Sequence, residues 1–291
     1  MDQELERIAD VVAARIRAQL GTDLKQPHGC SDADSCSSCG RCAQKRPGEV
    51  RALMDHGAVR VSAAPGTKQV ADDIAGIIDH TLLKPETAPD DLRKLCEEAA
   101  KYNFASVCVN SSNVARCRSY LGGSQVMICA VVGFPLGAMS SGAKAFEARD
   151  AVRNGAQEID MVVNIGALKA GDFNVVLEDI TRVVQASRPA HVKVILETGM
   201  MGDEEKVAGC ILSKLAGAHF VKTSTGFGKG GATAADIALM RRVVGGAMGV
   251  KASGGIHNEE DARQMMAAGA NRIGASASVG IVTGKTSTSA Y

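Results

Sequence analysis

The chain has 291 residues, a formal net charge of +1, no tryptophan and only 3% aromatic residues. A balance this close to neutral gives no footing for nucleic acid or an anionic membrane surface, no run of about 18 apolar residues offers a bilayer span, and the N-terminus lacks the basic start and apolar core of a secretory signal. The expectation is a cytoplasmic protein whose core is aliphatic and alanine-rich, as in α/β folds.

Asp2 to Leu20 reads as an amphipathic helix, with Leu5, Ile8, Val12, Ile16 and Leu20 at helical spacing and Gly21 as its stop. Its apolar face has two destinations: the body of this protein or a sister subunit, or a groove on a partner. Short helices of this kind on a flexible tether resemble the cargo-targeting peptides of bacterial microcompartment enzymes. That resemblance implies a shell or scaffold partner and an address inside a microcompartment, so residues 1–21 are expected to form a docking or targeting helix.

Residues 22–71 change to Gly, Pro, Ser, Asp and Cys and read as a linker. Within them Cys30, Cys36, Cys39 and Cys42 are spaced to converge on one metal centre. The Cys-x-x-Cys-x-x-Cys run resembles ferredoxin-type iron–sulfur ligation, with Cys30 as fourth ligand; a structural zinc ion is the alternative, and a metal-free linker the third. Residues 47–61 carry a weak helical pattern. The other five cysteines are scattered through the periodic segments, as small buried hydrophobes are.

From residue 72 onward, short continuous apolar runs alternate with helical patterns at a spacing near 30 residues. Strands are expected near residues 74–78, 105–109, 126–132, 158–163, 192–196, 218–221, 250 and 273, with helices at 90–102, 114–121, 143–154, 173–186, 204–216, 232–244 and 259–268. Strands without polar alternation belong to a sheet buried on both faces. Eight such units over residues 72–291 predict an α/β fold, a (β/α)8 TIM barrel carrying an N-terminal helical and Cys-rich extension. No Gly-x-Gly-x-x-Gly turn follows the first strand, which argues against a doubly wound open sheet.

In such a barrel chemistry gathers at the C-terminal ends of the strands. Lys222 and Lys251 each end a strand-like run and are followed by small residues, and one helical unit separates them. Two ammonium groups a few Å apart disfavour each other's charge, and the amine that gives up its proton is a nucleophile toward carbonyls. Asp160 interrupts an apolar strand, a costly position without a cation beside it, and Lys251 is the expected partner. Lys193 lies early in its strand and His219 alternates outward, so both are expected to be structural. Gly254-Gly255 and Gly274-Ala275-Ser276 follow the seventh and eighth strands, where barrels bind phosphate through backbone N–H groups; Lys229, in a third glycine-rich loop, is a spare counter-charge.

Asp79-His80-Thr81-Leu82-Leu83, Glu158-Ile159-Asp160, Phe220-Val221-Lys222-Thr223-Ser224-Thr225-Gly226 and Val250-Lys251-Ala252-Ser253-Gly254-Gly255 together resemble the deoxyribose-phosphate aldolases. The resemblance spans residues 72–283 and leaves the extension outside. It implies a class I aldolase that cleaves 2-deoxy-D-ribose 5-phosphate to D-glyceraldehyde 3-phosphate and acetaldehyde without a cofactor. Lys222 would form the Schiff base, Lys251 would be the perturbing ammonium, and Asp160 the proton donor and acceptor. Asp79, Thr81, Cys108, Thr225 and Gly226 would stand beside the substrate, with Gly254, Gly255, Gly274 and Ser276 at its phosphate. Tyr291 would reach the site from the C-terminal tail, and the chain would be a homo-oligomer.

Overall fold

The structure, a computed structural model, describes residues 2–20 and 74–284. The candidate ligands Cys30, Cys36, Cys39 and Cys42, the helical pattern at 47–61 and Tyr291 lie outside these residues. Eight parallel strands close into a barrel in sequence order: β1 (Ile78–Leu82), β2 (Ser106–Asn110), β3 (Met127–Val132), β4 (Glu158–Val162), β5 (His191–Ile195), β6 (Phe220–Lys222), β7 (Gly249–Ser253) and β8 (Arg272–Ala275). β8 returns to β1, with Asp79 opposite Gly274. The predicted (β/α)8 barrel is the observed fold.

Ten helices are described, α1 (Asp2–Leu20), α2 (Pro89–Tyr102), α3 (Val114–Tyr120), α4 (Ser141–Asn154), α5 (Ile165–Ala170), α6 (Phe173–Ala186), α7 (Asp203–Leu215), α8 (Ala234–Val244), α9 (Glu259–Ala267) and α10 (Ser278–Thr283). Their ends follow local chemistry. Ser140 accepts from the Ala143 N–H to cap α4, and Gly155 closes it at φ 119°. Pro89 opens α2 beside Asp90 and Asp91, where a missing N–H costs nothing and carboxylates favour the helix dipole. Valine, isoleucine, leucine and alanine between strands and helices form the core. None of the described helices is long and apolar enough to cross a membrane.

Two stretches differ from expectation. Residues 74–77, read as the start of the first strand, form a 3₁₀ turn that buries Ile74 and Ala75. An apolar run this short fits a strand or a plug equally well by periodicity. The short helices α5 and α10 were absent from the expected set, because six residues carry less than two turns of pattern.

Helix α1 belongs to the same compact unit as the barrel. Val12 and Ile16 are buried in the same core as the strands. Gln19 donates to the Gly171 carbonyl at 2.9 Å and accepts from the Phe173 N–H at 3.1 Å, tying α1 to the start of α6. Arg15 lies over the Phe173 ring at 5.7 Å and reaches Glu204 at the start of α7. Of the two destinations open to this helix, the structure gives the body of the protein itself. Ile16→Ala is expected to lower unfolding stability by about 3 kcal/mol while leaving turnover unchanged, measured by urea denaturation alongside steady-state kinetics.

Candidate active site

Side chains alternate across a strand, so residues two apart share a face. Glu158 and Asp160 on β4 both face the barrel interior. Lys193 lies in register with Asp160 across β5, and Lys222 with Lys251 across β6 and β7. All five side chains are buried. Asp160 is the centre: its Oδ2 accepts from Lys222 at 2.9 Å and from Lys251 at 2.8 Å, and its Oδ1 accepts from Lys193 at 2.9 Å. The two lysines expected to meet at the mouth therefore share one carboxylate oxygen.

Beneath this layer lies a second set of charges. Asp79 Oδ2 is 2.5 Å from Lys251 and 3.6 Å from Lys193, while its Oδ1 accepts from Arg272 and Ser106, each at 2.7 Å. Glu158 takes Lys193 at 2.6 Å and both Arg272 terminal nitrogens, at 3.0 and 3.1 Å. Three carboxylates thus face four basic side chains. Burial alone would push Asp160 up, but Lys193, Lys222 and Lys251 outweigh it and hold the carboxyl well below the usual range. Asp79 is lowered in the same way, its burial outweighed by Arg272, Lys251 and Lys193. Burial would lower Lys251, yet Asp160 and Asp79 together keep its ammonium above the ordinary lysine range. Lys193 is also raised, with Asp160 foremost among the groups that overcome its burial.

The cluster needs room, and a glycine supplies it. A Cβ at Gly274 would stand 2.8 Å from Lys251 Cε. Gly274 was expected at the phosphate; its place within β8 makes it a slot for the Lys251 stem. Asp79, expected beside the substrate, is the second residue of its strand and lies against Lys251, with no exposure, as Asp160 and Lys251 also have none. Thr81 points the same way one step higher, its hydroxyl donating to the Asp79 carbonyl at 2.8 Å. Cys108 is buried opposite Cys129, its register partner on β3.

At the mouth, Thr225 and Gly226 follow Lys222, and Gly254 and Gly255 follow β7 at φ 84° and 75°. A Cβ at Gly231 would sit 2.5 Å from the Gly254 carbonyl oxygen, and the Ala232 N–H donates to that oxygen at 3.0 Å. The two glycine-rich segments are one packed wall. Ser276 follows β8 and borders a cavity of about 420 Å³ beside β1, lined also by Lys84, Thr87 and Lys94. Lys222 does not line that cavity, and Glu86, Asp91 and Glu98 offset its lysines. Lys229 is exposed on its loop. His219 is exposed, stacked on His191 with ring centroids 4.4 Å apart, and accepts the Val192 N–H, in keeping with a structural role.

Sequence reasoning placed Lys193 in a structural role and passed over Arg272 and Cys129. The signal for Lys193 was the one that revealed Asp160, a charge inside an apolar strand. Among the described residues, Cys108 Sγ, Cys129 Sγ and an Asp160 carboxylate oxygen lie within 4.8 Å of one another. The Lys193 ammonium, 3.4 Å from Cys129 and 2.9 Å from Asp160, already stands where a metal cation would go.

A closed (β/α)8 barrel with amines gathered on one buried carboxylate at its mouth defines an enzyme of carbonyl chemistry. The comparisons with known proteins narrow this class. The profile of the DeoC/LacD family aldolases matches residues 74–290. The deoxyribose-phosphate aldolase of Bacillus cereus (strain AH820) is 58% identical over 211 residues, covering 72% of this chain and 95% of that protein. Among solved structures, the tetrameric deoxyribose phosphate aldolase from Aeropyrum pernix is 32% identical with a TM-score of 0.68, covering 72% of this chain and 89% of its own. An aldolase called QR15 is 36% identical with a TM-score of 0.70, covering 73% and 95%. The chain belongs to the DeoC/LacD family of aldolases.

Proposed function

We propose that this enzyme is a class I aldolase that cleaves 2-deoxy-D-ribose 5-phosphate to D-glyceraldehyde 3-phosphate and acetaldehyde. The observation that carries the reading is the shared Asp160 oxygen, with Lys222 at 2.9 Å and Lys251 at 2.8 Å. Lys222 is the last residue of β6 and, at 2% exposed, the least buried of the three lysines, the other two having no exposure. It shares Asp160 with two other lysines, whereas Lys251 and Lys193 each have a second carboxylate as well.

The Lys222 nitrogen attacks C1 of the open-chain aldehyde, and loss of water leaves an iminium. Withdrawal of the C3 hydroxyl proton then breaks the C2–C3 bond, which releases glyceraldehyde 3-phosphate and leaves an enamine on Lys222. A proton delivered to C2 restores the iminium, and water frees acetaldehyde and the amine. Each proton step needs a positioned acid or base. Asp160, ionised and in contact with Lys222, receives and returns the proton, while the Lys251 ammonium stabilises the charge left on it. The wall formed by Gly226, Gly254 and Gly255, with Ser276, offers N–H groups for the phosphate.

The N-terminal segment stands apart in this proposal. Cys30, Cys36, Cys39 and Cys42 are spaced to hold an iron–sulfur cluster or a zinc ion, and a shell or scaffold protein would dock on the exposed face of helix α1, since its Val12 and Ile16 are buried. The catalytic cluster calls for no cofactor. A homo-oligomer is proposed from the tetrameric relative.

Incubation with 2-deoxy-D-ribose 5-phosphate is expected to release acetaldehyde and glyceraldehyde 3-phosphate in equal amounts, quantified by coupled reduction of the aldehyde. A two-carbon product other than acetaldehyde, or none, would move the enzyme to a different sugar phosphate.

A further inference from the structure

Glu197 follows β5 and is 2% exposed, yet its backbone is left-handed, φ 59° and ψ 61°. A side-chain-bearing residue adopts that conformation at a cost, and surrounding contacts must hold it there. Those contacts run to the strand that carries Lys222. The Leu196 N–H donates to the Lys222 carbonyl at 2.9 Å and the Thr198 N–H to the Thr223 carbonyl at 3.0 Å. Between them the Glu197 carboxylate turns toward the following loop. Its Oε2 accepts the Thr225 N–H at 3.2 Å and, in a short bond, the Thr225 hydroxyl, which itself accepts the Phe227 N–H at 3.1 Å.

The loop lies directly on this carboxylate. A Cβ at Gly228 would stand 3.0 to 3.2 Å from Glu197 Cδ, Oε2 and Oε1. A segment with glycine at 226, 228, 230 and 231 has little stiffness of its own. Its far end is pinned where Ala232 bonds Gly254; at its near end Glu197 holds both the N–H and the hydroxyl of Thr225, and the Phe227 ring packs edge-on against Phe134 at 5.3 Å.

We infer that Glu197 is a positioning residue for substrate selection: by clamping Thr225 and the loop to Gly231 it sets the backbone N–H groups against Gly254 and Gly255, and so gives the enzyme its preference for a phosphorylated over an unphosphorylated sugar. The inference rests on the functional reading above. Glu197 acts through the loop and not on the carbon that reacts. Its loss therefore loosens the grip on phosphate while Lys222, Asp160 and Lys251 keep their geometry.

The test compares kcat/KM for 2-deoxy-D-ribose 5-phosphate and for 2-deoxy-D-ribose in four proteins. Glu197→Ala is expected to cut the ratio of the two by about tenfold or more, mainly through KM for the phosphorylated sugar. Glu197→Gln, which keeps an acceptor for both Thr225 bonds, restores most of the ratio. Gly228→Ala leaves Glu197 in place and pushes the loop off it, so it moves the ratio in the same direction even if the alanine variant at 197 folds poorly. Equal losses on both sugars, or an unchanged ratio in the two alanine variants of an active enzyme, overturn the inference alone. A wild-type enzyme that cleaves neither sugar overturns the functional reading and the inference with it.

Discussion

Lys222→Ala is expected to remove at least about 10⁴-fold of kcat and to leave the protein no less stable than the wild type. The loss follows from covalent chemistry: without the amine no iminium forms, and neither Lys193 nor Lys251 can replace it, since both are fully buried and bound to two or more carboxylates. The stability expectation follows from the charge balance. Asp79, Glu158 and Asp160 face Lys193, Lys222, Lys251 and Arg272, so removal of Lys222 leaves each carboxylate with another cation. Steady-state assays and a thermal melt measure both halves. A drop in melting temperature with residual activity near the wild-type level would contradict them.

Lys251→Met is expected to lower kcat by about 10²- to 10³-fold and, unlike the change at Lys222, to destabilise the fold by about 3 kcal/mol. Asp79 Oδ2 loses the ammonium 2.5 Å away and keeps only Lys193, at 3.6 Å, while Asp160 keeps Lys222 and Lys193. The pH dependence has a definite sign. Because the folded-state pKa of Lys251 is raised, its contribution is fully present below the unfolded value of about 10.4 and is lost only as pH rises through the folded value. The penalty should therefore be undiminished across neutral pH, and slow turnover by the variant should retain the covalent step at Lys222. Denaturant melts between pH 6 and 9 check the first point. A penalty that vanished within that interval would mean that the ammonium is not held by the two aspartates.

The fold was legible because eight apolar runs without polar alternation leave few architectures, and the meeting of Asp160, Lys222 and Lys251 was legible because each violates such a run. What escaped was the layer below. Glu158 and Arg272 open their strands, where a charge ordinarily reaches solvent. Only closure of β8 onto β1 brings Arg272 to Asp79, 193 positions away in sequence, and no local pattern encodes that approach. The position of Asp79 within its strand was hidden for a related reason: the turn at Ile74–Ile77 takes the start of the apolar run, so the aspartate is the second residue of β1. Glu197 sits in a motif that looks like a loop, and its reach to Thr225 depends on a left-handed backbone that glutamate seldom adopts.

Borohydride reduction in the presence of 2-deoxy-D-ribose 5-phosphate, followed by peptide mass spectrometry, tests the central claim most directly. The expected result is one inactivating adduct, on the nitrogen of Lys222, absent from the Lys222→Ala protein. An adduct on Lys251 or Lys193, or full activity after reduction with no adduct, would contradict the account.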